Sequence, residues 1–183
     1  PYKYCNEQRA ATEIFTPANR REARKIAADC FVLLKNQGNV LPLKRGATIA
    51  LVGPLADAAN NMTGTWSVAA NFGQSVSVLQ GLKEAVGEGG KVLYSLGANL
   101  DADSLFEQRA TMFGKSLHRD HRPAAEILQE ALDTASKADV IVAALGESAE
   151  MSGESSSRSN IGIPQTQQEL LKALLKTGKP VVL

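Results

Sequence analysis

Short apolar runs alternate along this chain with longer segments whose apolar residues recur at helical spacing. Residues 48–53 (TIALVG), 91–94 (KVLY), 140–146 (VIVAALG) and 180–183 (PVVL) are the apolar runs. They are short, continuous and bounded by glycine or proline, as buried parallel strands are. Between them, Val76, Leu79, Leu82 and Val86 predict a helix over 75–86, closed by Gly87, Gly89 and Gly90. Ala124, Ile127, Leu128, Ala131 and Ala135 predict a helix opened by Pro123, and a further helix is expected over 164–176 with Gly178 as its stop. Upstream, Thr16 and Pro17 supply an N-cap and a first-turn proline. Ala23, Ile26, Ala27, Cys30 and Leu34 follow in helical register, with Gly38 and Asn39 as the stop. Residues 1–15 lack a clear period, and 97–122 read as an irregular, charge-rich excursion.

Strands alternating with helices of this length imply βαβ crossovers, which are nearly always right-handed. The expected fold is α/β, a three-layer α/β/α sandwich on a mainly parallel sheet. The run at 180–183 begins a strand without the rest of its sheet, so the sandwich is expected to be incomplete at its C-terminal end.

Of the 183 residues, 44% are hydrophobic and 21% charged, with a net charge of +1. This is a globular composition with no general attraction to nucleic acid or to acidic membranes. The one basic cluster, 19–25 (NRREARK), reads as the solvated face of an amphipathic helix. No apolar run approaches the ~18 residues of a membrane span, and no signal peptide is visible. Cys5 and Cys30 form no metal-binding spacing. Cys30, on the apolar stripe, is expected to be a small buried hydrophobe.

Several kinds of chemistry are disfavoured by the motifs. The turn after the first strand, VGPLAD, has one glycine where a dinucleotide fingerprint needs three, and Pro54 removes an N–H that a phosphate cradle would use. There is no Walker A loop and no G-x-S-x-G elbow. His118 and His121 sit together in the irregular segment and read as solvated loop histidines. No metal site and no cofactor is expected.

The segment 146–164 (GESAEMSGESSSRSNIGIP) is different. It is far longer than the usual connection of about two to six residues in a compact α/β unit. It also leaves the carboxyl end of a parallel strand, where open α/β sheets place their ligand sites. It carries Glu147, Glu150 and Glu154 among small polar residues. Glycoside hydrolysis uses two carboxyl groups across a sugar ring, one of them a proton donor. Glu154 has Gly153 before it to turn the backbone and Ser155–Arg158 after it. Composition alone favours a solvated glutamate on a flexible loop, and a cation such as Arg158 would stabilise the carboxylate. Trp66, the single tryptophan, lies in a polar loop; composition does not decide between sugar stacking and anchoring of the loop.

Four stretches then add to this picture. Residues 33–43 (LLKNQGNVLPL), 49–57 (IALVGPLAD), 64–67 (GTWS) and 153–167 (GESSSR…IPQTQ) occur in this order and spacing. Together they resemble the family 3 glycoside hydrolases, most closely the bacterial periplasmic β-glucosidase type. The resemblance implies a (β/α)8 barrel followed by an α/β sandwich. Residues 1–45 resemble the barrel exit and linker helix, and 46–183 a truncated sandwich domain. It further implies a retaining β-glucosidase whose nucleophile, a barrel aspartate, matches no residue here. Glu154 matches the general acid/base and Trp66 the loop aromatic of the sugar site. Ser155 and Arg158 match neighbouring, substrate-binding positions. The implied partners are a β-glucoside or oligosaccharide and the barrel domain. The implied location is periplasmic or secreted, and the isolated chain is expected to be inactive. A non-catalytic carbohydrate-binding or interaction domain stays open as an alternative, as does, less favoured, a nucleotide-binding α/β domain.

Overall fold

A computed structural model describes residues 4–67, 69–113 and 115–183. Pro1–Lys3, part of the segment resembling a barrel exit, lie outside them. The chain divides into two compact units, Pro1–Asn39 and Val40–Leu183.

The first unit holds α1 (Arg9–Glu13) and α2 (Pro17–Asp29). Thr16 caps α2 by accepting from the Asn19 N–H at 3.1 Å, with Pro17 at N1, as the sequence predicts. The helix then departs from expectation. It ends at Asp29 instead of running to the Gly38 stop, and no residue of it is buried. Cys30, expected in a core, is exposed, as are Ile26 and Phe31–Leu34. Helical spacing marks which residues share a face, but burial needs an opposing surface. None of these residues is covered. Gly38 and Asn39 do break the chain, both in the left-handed region (φ 74° and 54°), within a short 3₁₀ turn at Gln37–Asn39.

The second unit is built on a parallel sheet of β1 (Thr48–Val52), β2 (Lys91–Ser95), β3 (Val140–Ala143) and β4 (Val181–Val182), in the order β2-β1-β3-β4. Val52 lies opposite Ser95 on one side and Ala143 on the other. Alternate residues of β1 face opposite layers. Ala50 and Val52 pack with Ala131 and Ala135 of α5 (Ala124–Ser136) and with Leu170 and Leu174 of α6 (Gln165–Leu175). Leu51 faces the other way, onto Leu79 and Leu82 of α3 (Val78–Ala85). Helices therefore cover both faces, and the expected α/β/α sandwich is the observed fold. Among the described residues no helix is long and apolar enough to cross a membrane.

The second unit also departs from the sequence reading in places. The third strand pairs only as far as Ala143, and the expected 97–122 irregular stretch contains a seven-residue helix, α4 (Ser104–Ala110). Asp103 caps α4 through the N–H groups of Leu105 (2.9 Å) and Phe106 (3.2 Å). Its apolar pattern is broken by Glu107, which is buried and held by Arg119 at 2.7 Å. A buried charged residue on the inward face hides such a helix from periodicity. A third, smaller apolar cluster joins α4 to the long loop: Leu100, Ala110 and Met151, with Leu55, Phe106 and Leu117 around them.

Strand order fixes where a site can form. From β1 the chain crosses to β2 on one side; from β3 it crosses to β4 on the other. The loops leaving the carboxyl ends of β1 and β3 thus part at a switch point, where open α/β sheets leave a crevice. Gly53 (φ 133°) passes so close to the Ala144 carbonyl that any side chain there would collide with it.

Candidate active site

The β1 loop carries Trp66 and the β3 loop carries Glu154, and the two line one cavity of about 800 Å³. The β3 loop is anchored at its base by Gln167, a fully buried side chain on the first turn of α6. Its amide oxygen accepts from the Gly146 N–H at 2.9 Å, and its amide nitrogen donates to the carbonyls of Gly146 (2.9 Å) and Leu100 (3.0 Å). Further along, Met151 is buried in the third apolar cluster, and the Ser148 hydroxyl donates to the Ala110 carbonyl at 2.6 Å. The first third of this loop is therefore fixed to the sandwich.

Glu150 comes next. Its Oε1 lies 2.5 Å from Lys115 Nζ, and its Oε2 accepts from the Thr65 hydroxyl at 2.7 Å. Lys115 is 2% exposed. The ammonium beside it, and then the Thr65 hydroxyl, hold the Glu150 carboxyl below its ordinary range. The Ser156 hydroxyl donates to the Glu150 carbonyl at 2.9 Å, which folds the following turn back on this point. Gly153 (φ 124°) opens that turn against the side chain of Thr65, with no space for a Cβ.

Glu154 follows at the tip of the turn. It is exposed, lines the cavity, and among the described residues has no ion pair or hydrogen-bond partner. Ser155 stands beside it in the left-handed region (φ 62°), also lining the cavity. Arg158 lines the cavity too, but its guanidinium pairs with Glu147. Trp66, 70% exposed, supplies an aromatic surface, joined by Phe113 and Met112. His118 and His121 are exposed, and among the described residues no group of three or more His, Cys, Asp and Glu is placed to hold a metal ion.

The four residues singled out from the sequence thus share one cavity. Lys115, Thr65, Asn61 and Gln167 were not singled out, yet they hold that cavity together. Thr65 and Gln167 lie inside the quoted motifs. Lys115 sits in a segment whose composition carries no period and gives no signal.

The chain is similar to known proteins over most of its length. Over 165 residues, 90% of this chain, it is 47% identical to a periplasmic beta-glucosidase of Salmonella typhimurium. It is 31% identical over 176 residues, 93% of the chain, to a beta-xylosidase of Formosa agariphila. In structure it is similar to the beta-glucosidase of Listeria innocua crystallised with isofagomine, with a TM-score of 0.79 at 30% identity over 99% of this chain. The chain spans 22% of the length of each of these three proteins. Residues 31–183 match the glycosyl hydrolase family 3 C-terminal domain, and the chain belongs to that family.

Proposed function

We propose that this chain is the sandwich domain of a retaining β-glucosidase and brings the general acid/base, Glu154, to a nucleophile housed in a preceding barrel. One observation carries the reading. Of the three glutamates on the loop, Glu147 is paired with Arg158 and Glu150 with Lys115. Glu154 is the one exposed to the cavity with no partner among the described residues. An acid committed to a cation stays ionised and makes a poor proton donor. An uncommitted carboxyl can have its proton affinity set by the substrate and the covering domain.

In this reading Glu154 protonates the glycosidic oxygen as the barrel carboxylate attacks the anomeric carbon. It then takes a proton from the water that releases the glycosyl-enzyme, with the two carboxyls about 5–5.5 Å apart. Trp66 stacks on the sugar or aglycone beyond the cleavage point, and Ser155 and Arg158 contact substrate hydroxyls. Residues 1–45 serve as barrel exit and linker helix and 46–183 as the sandwich domain. The substrate is a β-glucoside or short oligosaccharide, supported by the 47% identity to a beta-glucosidase, and the location is periplasmic or secreted.

The test is Glu154→Gln in the full-length enzyme. Turnover on cellobiose should collapse, and added azide should partly restore turnover of an activated aryl β-glucoside. Unchanged turnover would remove Glu154 from the reaction.

A further inference from the structure

The cavity is built by three segments that are distant in sequence, and one buried cation joins them. Lys115 Nζ reaches Glu150 Oε1 on the β3 loop at 2.5 Å and the Thr65 carbonyl on the β1 loop at 3.4 Å. The Thr65 hydroxyl closes the triangle on Glu150 Oε2 at 2.7 Å. A neutral link runs in parallel. The Asn61 amide donates to the Lys115 carbonyl at 2.7 Å and accepts from the Ala149 N–H at 2.7 Å. The clasp is part of the cavity wall: Thr65, Lys115 and Glu150 all line it, Thr65 precedes Trp66, and Gly153, packed on Thr65, precedes Glu154.

A buried ion pair is a poor means of stabilising a fold, since apolar residues of similar volume do as well or better. Its use lies in geometry. Charged partners with few alternatives fix the relative placement of the segments that carry them. Here those segments are the two that part at the switch point, where the strands themselves impose no fixed distance between the loop tips.

We infer that Lys115 is a positioning residue: the Thr65–Lys115–Glu150 clasp locks the Trp66 loop to the Glu154 loop, so that the stacking face and the proton donor are presented to the substrate as one unit. This rests on the reading of Glu154 as the acid/base. Lys115 is buried in the cavity wall and acts through Glu150 and Thr65. Losing the clasp frees Glu154 to wander relative to the leaving-group oxygen. The damage then falls on substrates whose leaving group needs a proton.

The experiment is a leaving-group series on the full-length enzyme, from dinitrophenyl to methyl β-glucoside, read as kcat/KM. Variants are Lys115→Met, Lys115→Arg, the double change Lys115→Met with Glu150→Leu, and Glu154→Gln as reference. The double variant leaves no buried charge unpaired, so it reports on the clasp even where Lys115→Met alone does not fold. The expected result for Lys115→Met and the double variant is a loss of roughly 10²-fold on methyl glucoside, as for a misplaced reacting group. The dinitrophenyl substrate, which needs little protonation, should lose far less. Lys115→Arg should recover part of the loss. Equal losses on both substrates, or none, would overturn the inference. If Glu154→Gln steepens the leaving-group dependence and the clasp variants do not, the clasp alone fails. If Glu154→Gln does not steepen it either, the acid assignment fails and the inference with it.

Discussion

Arg158 pairs with Glu147, eleven residues back along the same loop, and not with Glu154, its nearer neighbour in sequence. The cation that follows Glu154 in sequence is therefore committed to another carboxylate. The pairing also turns Arg158 into a strap across the loop, with both partners partly exposed.

Glu147→Gln therefore has a predictable consequence. It releases the Arg158 guanidinium from its present anchor on the cavity wall. An arginine that contacts substrate from that position loses its orientation, so KM for an aryl β-glucoside should rise several-fold in the full-length protein while kcat changes less. The ion pair itself is solvent-accessible, so its loss should cost no more than about 1 kcal/mol of stability. A KM unmoved by Glu147→Gln would show that the pair does not set the placement of Arg158 toward substrate.

Gly153→Ala tests the packing of the tip. Its φ of 124° suits glycine, and a Cβ would collide with the Thr65 side chain. The strain should displace the Glu154 turn at a cost of roughly 1–3 kcal/mol, with activity falling more than melting temperature. Adding Thr65→Ser removes the obstructing methyl while keeping the hydroxyl that donates to Glu150, and should restore part of the activity. No recovery would place the defect in the backbone angle alone.

Glu150 gives the fold a pH signature. Its carboxyl titrates below the ordinary value of about 4.3 because Lys115 and Thr65 favour the ionised form. Its stabilising contribution is thus complete above that value and is lost as pH falls through the lowered folded-state pKa. Urea unfolding at pH 6 should find wild type more stable than Glu150→Gln, because the variant leaves Lys115 buried and unpaired. The gap should close toward pH 2. A gap independent of pH would mean that the ion pair is not its source.

Gln167→Leu tests the base of the loop. It strands the buried carbonyl of Leu100 and the part-buried N–H and carbonyl of Gly146, at about 3 kcal/mol in all. For a domain of this size the melting temperature should drop by roughly 6–12 °C. A drop under a degree would mean that water replaces the amide.

The sandwich was legible because its signals are local. Four apolar runs punctuated by glycine and proline, separated by segments with helical period, leave few arrangements other than a covered parallel sheet. The loop after β3 stood out for a similar reason: it is too long and too polar for a plain crossover. The family motifs singled out Glu154, Trp66, Ser155 and Arg158, and the fold gathers all four around one cavity. The sequence could not say which glutamate is uncommitted. That depends on Lys115 lying 35 residues from Glu150 in the chain and 2.5 Å from it in space. Nor could it show that Cys30 is exposed, because the period of a helix identifies a face without identifying what covers it. Composition and spacing set the elements and their order. The pairing of charges across the switch point is a long-range matter, decided only when the strands stack and bring the two loops together.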